Sequence, residues 1–68
     1  MDPDANLNEQ LLLAARLRLI AMTRQRRNLT ADEDAEVYES ADRLAELVEA
    51  LNRWLSVGGF LPSRWSNH

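Results

Sequence analysis

The sequence predicts an all-α protein: an antiparallel hairpin of two long helices, over about residues 5–27 and 31–57, with a short apolar tail over 58–68. Three observations carry this expectation. Apolar residues recur at helical spacing through both halves of the chain, and no alternating strand pattern occurs. Thr30-Ala31-Asp32-Glu33 reads as a capping box, a helix start placed mid-chain. Gly58-Gly59, with Pro62 soon after, marks where the second helix must stop.

Helix one has two plausible starts. Asp2 before Pro3 fits an N-cap with proline at the first helical position. Asn6 with Glu9 three residues on is a looser capping box. The helix should run to Arg27, with Arg24, Arg26 and Arg27 complementing the negative end of its dipole. Leu11, Leu12, Ala15, Leu19 and Met22 share one arc, and Leu13, Leu17 and Ile20 share a second, nearly opposite. A helix that is apolar on two sides is normally buried on both. One partner helix covers only one arc, so a second chain is expected, with Leu13, Leu17 and Ile20 as the oligomer interface.

The connection is Asn28-Leu29-Thr30, with Thr30 as the next N-cap and Asp32, Glu33 and Asp34 at the positive end of helix two. Val37, Ala41, Leu44, Leu47, Val48, Leu51, Trp54 and Leu55 form one apolar arc on that helix. Glu39, Asp42, Arg43, Glu46, Glu49 and Arg53 face away, with Glu39–Arg43 and Glu49–Arg53 at the favourable i, i+4 spacing. After the glycines, Phe60 and Leu61 are expected to fold back over the open end of the bundle. Trp65 and Arg64 are the candidate partner-binding residues, because a tail with two tryptophans nearby, a phenylalanine and a leucine supplies good anchors for another protein.

Size argues for assembly as well. A chain of 7.8 kDa folds to a compact surface of about 4,400 Å², burying about 4,000 Å² of apolar area. At ~25 cal/mol/Å² that gives ~100 kcal/mol, which the cost of ordering the chain, again ~100 kcal/mol, cancels. There is no cysteine to form a disulfide. The expected remedy is a homodimer, two hairpins making a four-helix bundle.

No catalytic, cofactor or metal site is expected. The serines lack an internal histidine to activate them, and the lone histidine, His68, is terminal. The acidic run from Asp32 to Glu36 lacks the alternating ligands and glycine of a calcium loop. The net charge of −3 gives no global attraction to nucleic acid or anionic lipid. It is unevenly spread, since the first 29 residues carry five arginines against three acids. Leu11–Met22 contains Arg16 and Arg18 and is too short to span a bilayer. The acidic amino terminus is unlike a signal peptide, so a cytoplasmic location is expected.

The run Ala41-Asp42-Arg43-Leu44-Ala45-Glu46-Leu47-Val48-Glu49-Ala50-Leu51, with Trp54-Leu55-Ser56 and Gly58-Gly59-Phe60-Leu61-Pro62, resembles short uncharacterised helical proteins of actinobacteria and their phages. Those proteins commonly open on an Asp-Pro pair like Asp2-Pro3. The likeness lies mainly in the carboxy-terminal half. It implies a phage or prophage origin and a compact helical fold, and it transfers no catalytic residue and no partner. The role expected from all this is a non-enzymatic accessory protein that self-associates and binds a host or phage protein. The alternative is a small nucleic-acid-binding regulator using Arg24, Arg26 and Arg27.

Overall fold

A computed structural model describes residues 1–66, which leaves His68 and the end of the expected tail outside the described residues. Two long helices, α1 (Pro3–Arg24) and α2 (Ala31–Ser56), pack on each other as a hairpin, followed by a single 3₁₀ turn at Ser63–Trp65.

The start of α1 is the Asp2-Pro3 cap. One oxygen of the Asp2 carboxylate accepts from the amides of Asp4 (3.0 Å) and Ala5 (3.2 Å), which no intrahelical carbonyl can reach. Asn6 is therefore no cap. It lies inside the helix and is buried, and its side-chain amide donates to the Leu47 carbonyl of α2 at 2.9 Å. Gln10 completes the arrangement by donating to the Asn6 side-chain oxygen. A buried amide is costly unless bonded, so this pair favours one alignment of α1 on α2.

The other end of α1 comes three residues earlier than expected. Gln25 N–H reaches back only three residues to the Met22 carbonyl (3.2 Å), and Arg26 does the same to Thr23 (2.9 Å). That tightening ends the helix at Arg24 and leaves Arg26 and Arg27 in the connection. The Thr23 hydroxyl meanwhile bonds the Leu19 carbonyl, a side-chain competitor for the helical ladder.

The start of α2 is the expected box. Glu33 N–H donates to the Thr30 hydroxyl (3.2 Å) and Thr30 N–H to the Glu33 carboxylate (2.9 Å). Arg27 then grips both oxygens of the same carboxylate, at 2.8 and 2.9 Å, and donates to the Asn28 carbonyl. One side chain thus caps α2 and clamps the connection. The Arg27 guanidinium and, after it, the Thr30 amide hold the Glu33 carboxyl down at about 2. A carboxyl whose folded pKa lies below its unfolded value, about 4.3, binds protons preferentially in the unfolded chain. Its stabilising contribution is complete above that value and is lost as pH falls through about 2. Melting temperature should therefore fall on acidification through this window. Glu33→Gln keeps the capping geometry but not the charge, so its melts should depend less steeply on pH there. Identical profiles for both proteins would refute the clamp.

The far end of α2 is a Schellman cap. Gly58 takes the left-handed conformation (φ 88°), its N–H bonds the Leu55 carbonyl (3.2 Å), and Gly59 N–H bonds the Trp54 carbonyl (2.8 Å). The Trp54 indole N–H donates to the Phe60 carbonyl at 2.9 Å, and the two rings meet edge to face at 5.3 Å. The tail then returns to the first turn of α1, where the Ser63 amide and hydroxyl both bond the Asp4 carboxylate. Phe60 and Leu61 do not close the bundle end: they are largely exposed, and Pro62 is the tail residue that is fully buried. The Phe60 ring rests edge to face on Trp54 and stays 65% exposed.

The core is small. Leu7, Ile20, Leu47 and Leu51 are its buried apolar side chains. The molecule measures 44 × 23 × 14 Å with a radius of gyration of 14.7 Å, against about 11 Å for a compact chain of this length. It is one layer of helices. Folded domains ordinarily have two.

Candidate interaction surface

Two helices side by side present two broad faces, and here the faces differ in chemistry. On one, ion pairs bridge α1 and α2. Arg43 grips both oxygens of Glu9 (2.6 and 2.9 Å) and reaches Glu46 at 3.2 Å, while Arg16 binds both oxygens of Glu36. The guanidinium groups hold the Glu9 and Glu36 carboxyls below the usual carboxylate range, chiefly by hydrogen bonding. The expected Glu39–Arg43 and Glu49–Arg53 pairs are not among the ion pairs of the described residues. Arg43 turns across the interface instead, where Glu9 offers a fork-to-fork contact. This face is solvated.

The opposite face is apolar. At about 100° per residue, Ala14 and Ala21 of α1 and Ala41 and Val48 of α2 lie on the side away from the ion pairs, and all are exposed. Near the connection this face holds an open groove of about 610 Å³, whose apolar walls include Leu17, Ala21, Leu29, Val37 and Tyr38. Arg24 and Asp34 also line it, and neither has an ion-pair partner among the described residues. Toward the tail the same face carries a shallower groove of about 200 Å³ between Gln10, Val48, Leu55 and Trp65. Trp65 keeps 49% of its surface exposed there.

A third apolar surface is the back of α1. Leu11, Leu12, Leu19 and Met22 are all exposed, Leu12 to 73%. This corrects the expected division of the two arcs. Ile20 is 3% exposed and packed within the single chain, and Leu13 and Leu17 are half-buried with it. That arc faces α2, because it continues from Asn6, whose buried side-chain amide bonds the Leu47 carbonyl of that helix. Ile20 keeps only that small exposed area, at the wall of the groove near the connection.

The other expected residues are dispersed. Arg64 lies beside Leu11 and Leu12 at the back of α1, on a different side from Trp65. Arg24, Arg26 and Arg27 do not converge: Arg27 is bound to Glu33, Arg24 borders the groove, and Arg26 is exposed in the connection. The sequence reading missed Leu29 and Tyr38 as surface residues. Tyr38 lies outside the α2 apolar arc, and that displacement was the available signal. Among the described residues, no group of three or more acidic or histidine side chains is placed to hold a metal ion. No helix there is long and apolar enough to cross a membrane. No protein-family model, curated protein or solved structure matches the chain.

Proposed function

We propose that this is a non-enzymatic interaction protein that self-associates and offers a further apolar surface to another protein. The observation that carries the reading is the exposure of apolar side chains on both sides of α1 in a molecule only one layer thick. Covering one side by a second copy leaves the other, with Leu12 and Leu19, for a partner. The tail's likeness to short actinobacterial and phage proteins supports a phage or prophage accessory role in a bacterial cytoplasm. The nucleic-acid reading has less support, since Arg27 is neutralised by Glu33 and the arginines do not share a surface.

Thermal melts over a range of protein concentration test the self-association. A protein stabilised by a second copy melts at a temperature that rises with concentration. A melting temperature independent of concentration from low to high micromolar would overturn the proposal. Binding of duplex DNA that weakens steeply with added salt would instead favour the nucleic-acid reading.

A further inference from the structure

We infer that the second copy docks on the apolar broad face in one orientation, with both connections at the same end and Arg24 of each hairpin paired with Asp34 of the other. This rests on the self-association proposed above and adds the surface and the symmetry.

The area fits the occupant. The chain exposes 5280 Å², about 900 Å² more than the ~4,400 Å² of a compact protein of its mass. A standard stable interface takes about 800 Å² from each side. Both helices contribute to the broad apolar face, which runs from Tyr38 and Leu29 at the connection to Trp65 at the tail. The opposite face is closed to this use by its bridging ion pairs, whose desolvation would be costly.

Charge selects the orientation. A closed dimer is two-fold symmetric, so whatever residue i meets on the second copy, its mate meets in return. A two-fold axis along the bundle sets α1 over the second copy's α2, with every adjacent pair of helices antiparallel. Arg24 near the connection end of α1 then stands level with the second copy's Asp34 near the connection end of α2. The symmetry makes that pair twice. An axis across the bundle would bring both charges to the tail end, where the groove is lined by Gln10, Val48, Leu51, Asn52, Leu55 and Trp65 and holds no charge. Only the first arrangement gives the two free charges partners.

The test is a charge swap read by sedimentation. Arg24→Asp and Asp34→Arg should each weaken association on the order of tenfold or more, because each sets like charges against one another twice. The combined variant restores opposite pairs and should recover most of the loss. A spin label on Asn28→Cys, in an otherwise cysteine-free chain, reports the orientation without disturbing the face. Short distances between labels are expected. Distances approaching the 44 Å length of the hairpin, or single variants that associate like the parent, would overturn this interface while leaving self-association standing. A parent protein that never associates would remove the proposed function itself.

Discussion

Leu51→Ala should leave the chain largely unfolded at room temperature. Leu51 is 4% exposed and, with Leu7, Ile20 and Leu47, forms the small apolar core of the described residues. Truncating a buried leucine costs about 2–5 kcal/mol, since the lost transfer energy is joined by the cavity left behind. The core of a domain this small rarely supplies more than about 3–5 kcal/mol, so the one change removes most of it. Helical circular dichroism should fall sharply, with no cooperative melt remaining. Leu44→Ala gives the internal comparison. Leu44 is only half-buried within the chain, so its truncation should lower the melting temperature by much less. Equal effects at the two positions would contradict the difference in burial between them.

Gly59→Ala is the second large effect, and it comes from steric overlap rather than lost burial. A β-carbon on Gly59 would lie 2.4 Å from the Trp54 indole, well inside contact distance. The ring must move, which breaks its hydrogen bond to the Phe60 carbonyl and its edge-to-face contact with the Phe60 ring. Overpacking of this kind costs about 1–3 kcal/mol. The tryptophan fluorescence of the variant should shift as Trp54 becomes wetter, together with a lower melting temperature. Gly58→Ala is strained for a different reason, its φ of 88°, with open space around the added methyl. It should cost stability by loosening the cap. An unchanged melt and emission spectrum for Gly59→Ala would contradict the placement of the tail.

What the sequence revealed was local. Asp2-Pro3, Thr30 with Glu33, and Gly58-Gly59 each act on amides or carbonyls within a few residues, so their roles could be read from neighbours alone. The apolar arc of α2 was legible for the same reason, though Val48 and Ala41 at its edge proved exposed and Ser40 took a buried place within it. The orientation of α1 was not legible. Its two apolar arcs are similar in composition, and periodicity cannot say which one meets α2. The choice is made by partners far away in sequence: Asn6 with the Leu47 carbonyl, 41 residues on, and Glu9 with Arg43, 34 residues on. Neither pairing has a local signature. Asn6 resembled a cap, and Arg43 had a carboxylate four residues before it.

The site was legible only in kind. The apolar excess on α1 was legible as the expectation of a second chain, but of the residues expected to meet it Ile20 is buried within the hairpin and Leu13 and Leu17 are half-buried. The surface left over is defined by two elements together, Leu17 and Ala21 of α1 with Val37 and Tyr38 of α2. No single helix displays it.

Sedimentation equilibrium of the unmodified protein at micromolar concentration tests the central claim most directly. A one-layer hairpin that completes its fold on a second copy should sediment with a mass near twice the 7.8 kDa of the chain, dissociating only on dilution. A fully helical species holding 7.8 kDa across the whole concentration range would contradict it.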